Sequence, residues 1–154
     1  MTSIVKIPPT APIGSLIAYE FLWSSQSNTR EDGAKVYPTA VIIVRTDIGP
    51  RPLVYALGIS HKPPLPDERA MEVPPKLARH LGLDDRQMWI YTNQLNVFTW
   101  PGPDLRPAEW LTSRVDARGG CVIGALPTDW FEKVKLHLKE SFMLKKVRPV
   151  KRSQ

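Results

Sequence analysis

Ser60 and His61 are adjacent at the end of an apolar segment, and their side chains are of types that support phosphoryl transfer. An imidazole carries protons near neutral pH, and a hydroxyl donates a hydrogen bond to a phosphoryl oxygen. The preceding residues, PLVYALGIS at 52–60, have the composition of a β-strand. Since neighbouring strand residues point to opposite faces, both side chains reach one pocket only if the strand ends at Ser60. The pair is compatible with an active site and also with unreactive surface positions.

No other catalytic signature is present in the sequence. It has no glycine-rich phosphate loop, no HExxH, no GxSxG and no CxxC pair. The three histidines, His61, His80 and His137, fall in three different predicted elements, so a three-histidine metal site is not expected. His80 and His137 are predicted to be exposed and inert. We therefore expect chemistry without a metal and without a cofactor.

The net charge of +6 is concentrated in the last quarter of the chain. From Glu132 onward, two glutamates accompany eight basic residues: Lys133, Lys135, Lys139, Lys145, Lys146, Arg148, Lys151 and Arg152. Residues 145–154 are predicted to form a basic tail. Such a segment binds polyphosphate partners by releasing counterions, but it is also a common solvated terminus. Both interpretations stay open.

The sequence also contains features that predict the cellular compartment of the protein. No apolar stretch approaches the roughly 20 residues that a membrane helix needs. Residues 1–12, MTSIVKIPPTAP, lack the apolar core of a signal peptide and are predicted to be a flexible arm. The single cysteine, Cys121, excludes an internal disulfide and is predicted to be a small buried residue. These features predict a cytoplasmic protein with no membrane partner.

Apolar segments separated by turn residues predict a mainly β protein. PTAVIIVRT (38–46) and PLVYALGIS are joined by DIGPR and predict a β-hairpin. Further strands are predicted in IGSLIAYEFLW, AMEV, MWIYTNQLNVFTW and CVIGAL, with a short helix from Pro75 to Gly82. The alternation of residues 93–99 stops at Trp100-Pro101-Gly102, where Trp100 is predicted to cap a hydrophobic core.

The clearest helical pattern is PTDWFEKVKLHLKESFML, residues 127–144. Asp129 and Glu132 have the spacing of a capping box. Its apolar face is predicted to consist of Phe131, Val134, Leu138 and Phe142. Together the elements predict an α+β, mainly β domain at residues 13–144, with a small curled sheet or barrel and a C-terminal helix.

The order of these motifs resembles a known family. The chain has YEFLW, a polar loop at 24–36 ending REDGAKVYP, then TAVIIV, ISHKPP and the long block EVPPKLARHLGLDDRQMWIYTNQLNVFTWPGPDLRP. This order, together with LPTDWFEKV, resembles the MazF/PemK growth-inhibitor toxins of bacterial toxin–antitoxin modules. The resemblance covers roughly residues 14 to 136, and the block from Gly82 to Pro107 is its most distinctive part.

The resemblance implies a fold, an activity and partners. The fold is an SH3-like antiparallel barrel, usually paired as a homodimer with a groove across the two subunits. The activity is metal-independent cleavage of single-stranded RNA, in which the 2′-hydroxyl attacks the adjacent phosphate and leaves a cyclic phosphate. The expected protein partner is a cognate antitoxin whose acidic, partly disordered segment covers the groove.

Several site residues follow from the resemblance. The loop at 24–36 resembles the family's mobile loop, and Ser60 falls on a threonine at the end of the third strand. His61 follows it and is the favoured proton carrier. Where the family has a catalytic arginine before the proline of the second strand, this chain has Tyr37, so Lys35 or Arg30 is expected to supply the missing positive charge.

Two further residues and two alternatives complete the prediction. Asn93 and Gln94 are predicted to offer hydrogen bonds to RNA bases near the groove. Because Tyr37 replaces the arginine, a toxin-like protein that binds nucleic acid without cutting is the main alternative. A gyrase-directed toxin of the CcdB type is a further one, but that branch acts through a C-terminal Trp-Gly-Ile and this chain ends Lys-Arg-Ser-Gln.

Overall fold

The computed structural model describes residues 5–24 and 35–152, and its strands all join one sheet. The strands are β1 (Ser15–Tyr19), β2 (Tyr37–Arg45), β3 (Leu53–Ser60), β4 (Ala70–Glu72), β5 (Trp89–Tyr91), β6 (Gln94–Thr99), β7 (Val122–Ala125) and β8 (Arg148–Lys151). The helices are α1 (Pro75–His80) and α2 (Thr128–Met143), with 3₁₀ turns at Ala108–Trp110 and Val115–Ala117.

Strand β3 is central to the sheet, because it pairs with β2, β5 and β6. The main path runs β4-β5-β3-β2-β1-β7, while β6 pairs with β3 and β8. The β2–β3 hairpin is confirmed, and every pairing is antiparallel except that of β6 with β8, which is parallel. The predicted class, α+β and mainly β with a C-terminal helix, is confirmed. The closed SH3-like barrel stays a prediction.

Both faces of the central strands are buried. Along β3, Leu57 and Ile59 belong to a core shared with α1 and α2, whereas Val54 and Ala56 belong to a second core on the opposite face. This alternation follows from the two-residue period of a strand. Because water is excluded from both faces, the strand reads as a nearly continuous apolar run.

Helix α2 packs its apolar face on the sheet, with two differences from the predicted pattern. Phe131, Val134 and Leu138 are buried as predicted, but Phe142 is 51% exposed. The buried position on the last turn belongs to Ser141, which meets polar partners there. The predicted capping box is wrong, because the helix begins at Thr128 and no side chain caps it. Asp129 lies within the first turn instead.

The basic segment near the C-terminal end differs from the predicted tail. Residues Arg148–Lys151 form β8 against β6, and Val150 is buried. Arg152 is also buried, with its guanidinium 3.0 Å from Asp104 Oδ2 and 3.0 Å from Asn96 Oδ1. A buried charge is tolerated when it is paired and hydrogen-bonded, and Arg152 meets both conditions here.

The described part of the N-terminal arm, residues 5–12, also contacts the sheet. Lys6 bridges to Gly120, and the Trp100 indole N–H donates to the carbonyl oxygen of Pro8 at 2.8 Å. Trp100 is 1% exposed, which confirms its role at the end of a core. Cys121 is buried as predicted, and burial raises its pKa to about 11. No helix in the described residues is long and apolar enough to cross a membrane.

Candidate functional site

Four of the predicted site residues line one pocket at the end of β3. Strand β3 stops at Ser60, so Ser60 and His61 escape the strict alternation of a strand and both face this pocket of about 230 Å³. Lys35 and Tyr37 line the same pocket. We call it the reactive pocket. It is completed by Val36, Pro38, Ile59, Leu83, Asp84, Arg86, Met88 and Leu111.

His61 is held between a carboxylate and a guanidinium. Its Nε2 lies 2.9 Å from Asp84 Oδ1, and its Nδ1 lies 3.0 Å from Arg86 Nη2. A guanidinium only donates hydrogen bonds, so Nδ1 accepts from Arg86 and Nε2–H donates to Asp84. The geometry therefore fixes the tautomer in which Nδ1 carries the lone pair that could accept a proton.

Asp84 is poised to stay ionised beside His61. Partial burial raises the pKa of this carboxyl, but the backbone N–H of Arg86, at 3.0 Å, and the His61 ring lower it by more. The net pKa of Asp84 is therefore below its ordinary value. A carboxylate in this position orients the imidazole and stabilises the imidazolium that forms when His61 takes a proton.

Arg86, like Asp84, lines the pocket but was not predicted from the sequence. Its side chain is 68% exposed and lies 3.7 Å from Asp84 at the same pocket. It offers a permanent positive charge in the same pocket as Tyr37. The sequence feature that could have identified Arg86 is the polar turn LDDRQ. The pairing of Ser60 with Trp89 brings that turn to the end of β3.

The Ser60 hydroxyl also has a local role. Its Oγ accepts a hydrogen bond from the backbone N–H of Lys62 at 3.1 Å, which stabilises the turn after β3. The hydroxyl proton is not used in that bond, so it can be donated to a ligand.

An aromatic pocket adjoins the reactive pocket and shares Tyr37 and Ser60 with it. Its volume is about 210 Å³, and its rings are Trp23, Tyr37 and Tyr91. The Trp23 ring meets the Tyr37 and Tyr91 rings edge-on, with centroids 5.3 Å apart in each pair. Burial and the nearby Glu68 charge raise the pKa of Tyr91 to about 12, so its phenol stays protonated.

Gln94 and Asn93 do not line the reactive pocket. Gln94 lines the aromatic pocket, where its Oε1 accepts from Ser24 N–H at 2.7 Å and its Nε2 donates to Glu68 Oε2 at 3.2 Å. Asn93 lines a third pocket beyond it. The base contacts predicted for both stay predictions, and Arg30 lies outside the described residues.

A second histidine cluster joins α2 to the sheet. His137 Nδ1 lies 2.6 Å from the Thr92 hydroxyl, which in turn lies 3.1 Å from the Ser141 hydroxyl. Arg69 Nε donates to Ser141 Oγ at 2.7 Å. Burial and then the Arg69 charge lower the pKa of His137. The prediction that His137 is exposed is therefore wrong, whereas His80 is exposed as predicted.

Comparison with known proteins gives no assignment, since no protein-family model and no curated protein matches the chain. Within residues 5–24 and 35–152, no group of three or more His, Cys, Asp or Glu side chains could hold a metal ion. The function must be argued from the reactive pocket itself.

Proposed function

We propose that the protein is an endoribonuclease of the MazF/PemK-like toxin type that cuts single-stranded RNA. The observation that carries the proposal is His61 held between Asp84 and Arg86 at the rim of a pocket that Lys35 and Ser60 also line. Cleavage by an internal 2′-hydroxyl needs a base, a proton donor and positive charge around the phosphate. This pocket contains residues of all three kinds.

In the proposed reaction, His61 Nδ1 removes the proton of the 2′-hydroxyl. Arg86 occupies Nδ1 in this structure, but it is largely exposed, and an entering phosphate draws the guanidinium towards its oxygens. The freed Nδ1 then accepts the proton as the 2′-oxygen bonds to phosphorus. Asp84 stabilises the resulting imidazolium.

The bond from phosphorus to the 5′-oxygen breaks in the same sequence. The leaving oxygen takes a proton from the Lys35 ammonium, and the products are a 2′,3′-cyclic phosphate and a 5′-hydroxyl. Arg86 and Lys35 offset the charge that builds on the phosphoryl oxygens, and Ser60 can donate one hydrogen bond to them. Removing one such positioned donor typically costs about 10²–10³ in rate.

Arg86→Gln provides the direct test. We expect it to lower the rate of single-stranded RNA cleavage by about a hundredfold or more, because the phosphate loses its permanent charge partner. Cleavage is followed by gel in EDTA, and the cyclic phosphate is identified by mass. Arg118→Gln removes an equal charge from an exposed position and should leave the rate unchanged. A wild-type protein that leaves a mixed RNA pool intact would refute the proposal.

The Asp84→Asn variant tests whether Asp84 orients the His61 imidazole. The amide cannot stabilise an imidazolium, so kcat should fall while KM stays near the wild-type value. A change in KM alone would show that Asp84 only shapes the pocket.

The proposal includes two protein partners. A second copy of the chain is expected to complete the groove, and an acidic antitoxin segment is expected to cover it in the cytoplasm. Light scattering at micromolar concentration tests the first point, because a species of only 17.4 kDa would exclude the dimer.

One observation favours a second candidate, a toxin-like protein that binds RNA without cutting it. Both ring nitrogens of His61 have partners in this structure, so the imidazole acts as a base only if Arg86 moves. RNA binding by the wild-type protein together with an uncut RNA pool would establish this alternative.

A further inference from the structure

A large pocket lies beyond the aromatic pocket, and we call it the distal pocket. Its volume is about 550 Å³, and it shares Glu68 and Gln94 with the aromatic pocket. One wall carries three basic residues, Lys145, Lys146 and Arg148. The remaining lining consists of Ser24, Leu65, Asp67 and Asn93.

The three pockets form one continuous track. Tyr37 and Ser60 are common to the reactive and aromatic pockets, just as Glu68 and Gln94 join the aromatic and distal pockets. The track has basic residues at both ends, Lys35 and Arg86 at one and Lys145, Lys146 and Arg148 at the other, and its middle is lined by aromatic rings. A single-stranded nucleic acid fits this order, because cations track its phosphates and aromatic rings stack on its bases.

Lys145 has a backbone conformation that a lysine rarely adopts. It follows α2 with φ of 57°, and the bonds Lys145 N–H to Phe142 O and Lys146 N–H to Ser141 O, both 2.9 Å, close a Schellman motif. Glycine is the usual residue at this position because it has no Cβ. The strained position places a lysine in the lining of the distal pocket, where the usual glycine would leave no side chain.

Asn93 gives independent evidence for a ligand. It is 6% exposed, and its Oδ1 has no hydrogen-bond partner among the described residues. Its backbone carbonyl accepts from Arg148 N–H at 2.8 Å, which fixes Asn93 beside the basic wall. A buried amide oxygen without a partner is costly, and rotation of the amide towards the pocket would let a ligand satisfy it.

The acidic wall favours a nucleotide over an acidic peptide. Glu68 is held in place, since Oε1 accepts from Leu65 N–H at 2.8 Å and Oε2 accepts from Gln94 Nε2 at 3.2 Å. Together with Asp67 it would repel a peptide that is negative throughout. A nucleotide can place its phosphate on the lysines and the amino group of its base on a carboxylate.

We propose that the distal pocket binds a nucleotide of the same RNA strand that reacts at His61. The phosphate contacts Lys145, Lys146 and Arg148, and the base lies towards Asn93 and Glu68. The identity of the strand rests on the proposed function; the binding of single-stranded RNA can be measured without cleavage.

The test measures binding of fully 2′-O-methylated single-stranded RNA, which lacks the attacking hydroxyl, by fluorescence anisotropy. Lys145→Gly/Lys146→Gln should weaken binding roughly tenfold at low salt and reduce the slope of log K against log salt by about 1.4. Lys145→Gly alone should raise Tm by about 2–4 °C, because it relieves the strained backbone. The double variant therefore loses affinity without losing its fold.

Lys133→Gln/Lys139→Gln is the matched control, because it removes the same charge from exposed positions on α2. An unchanged salt slope in this control supports the distal pocket. An equal loss in both double variants would instead indicate a diffuse field and overturn the proposal. It would also be overturned if a polyglutamate peptide showed the lysine dependence and RNA did not.

A cleavage assay separates this inference from the proposed function. A dinucleotide has a single internucleotide phosphate, so when that phosphate lies at His61 it offers none to Lys145 and Lys146. The Lys145→Gly/Lys146→Gln variant should therefore lose more cleavage rate on a longer RNA than on a dinucleotide. If the wild-type protein cuts nothing but binds the methylated RNA through the distal lysines, the nuclease proposal fails and the distal pocket stands.

Discussion

His61 and His137 lie in clusters that share a histidine and an arginine but differ in burial. His61 contacts Asp84 and Arg86 on the rim of a pocket, where the three side chains are 37%, 47% and 68% exposed. The Thr92 and Ser141 hydroxyls that accompany His137 are fully buried between α2 and the sheet.

The two clusters differ in the charge and the exposure of the groups that bind the histidine. The partners of His61 are ionised and exposed, so they can be drawn to a substrate. The partners of His137 are neutral hydroxyls whose hydrogen bonds stabilise the packing of α2, and moving them would leave buried polar groups unsatisfied. A histidine with ionised, exposed partners is open to a ligand, whereas a histidine bonded to buried hydroxyls is part of the packing.

The largest effect should come from His61→Gln. We expect a loss of about 10²–10⁴ in RNA cleavage, the usual contribution of a general base, with little change in Tm. Gel assays and thermal unfolding on the same preparation measure both quantities. A large drop in Tm would mean that His61 is structural too, and the contrast with His137 would disappear.

Thr92→Val should show the opposite behaviour. It keeps the shape but removes the hydroxyl that contacts His137 and Ser141, so the free energy of unfolding should fall by about 1–3 kcal/mol. Cleavage well below Tm should be unchanged. The exposed Thr46→Val is the control, with an expected change within about 0.5 kcal/mol. Denaturant titration measures both, and equal effects would refute the structural role.

A smaller, pH-dependent effect is expected from His137 itself. Because burial lowers its pKa in the folded state, the unfolded chain takes up this proton first as pH falls. Stability from this group is therefore complete above its ordinary pKa of 6.5 and decreases as pH falls from there towards the lower folded value. Comparing Tm at pH 8 and pH 5 for wild type and His137→Gln isolates it. An identical pH dependence in the two proteins would contradict the prediction.

The smallest effect on stability should be that of Asp84→Asn. Its ion pairs are largely exposed, so removing them should cost less than about 1 kcal/mol, even if the proposed RNA cleavage slows. Urea unfolding in low and high salt measures this. A loss as large as that of Thr92→Val would place the His61 cluster among the structural networks.

Local pattern was enough to predict most strands and both helices. The β2–β3 hairpin follows from two apolar runs joined by a Gly-Pro turn, and α2 follows from its helical period. The predicted capping box was wrong because it depends on the residue at which the helix begins. The predicted burial of Phe142 was wrong because the last turn of the helix buries Ser141 instead.

The sequence identified only part of the reactive pocket. Ser60 and His61 were identifiable from a strand end, whereas Lys35 and Tyr37 followed from the family resemblance. Asp84 and Arg86 were missed because they join His61 only through the pairing of β3 with β5. The basic segment was predicted as a tail because the buried partner of Arg152, Asp104, lies 48 residues away.

The buried Arg152 has a kinetic consequence. Its guanidinium donates to the carbonyl oxygen of Glu20, 132 residues away, and to Asn96 and Asp104. Contacts this distant in sequence carry a large loop-closure cost, so we expect them to form late in folding. We therefore infer that the Arg152 contacts are absent from the folding transition state. Arg152→Met should accelerate unfolding and leave the folding rate nearly unchanged, so this ion pair sets how long the native protein lasts rather than how fast it forms.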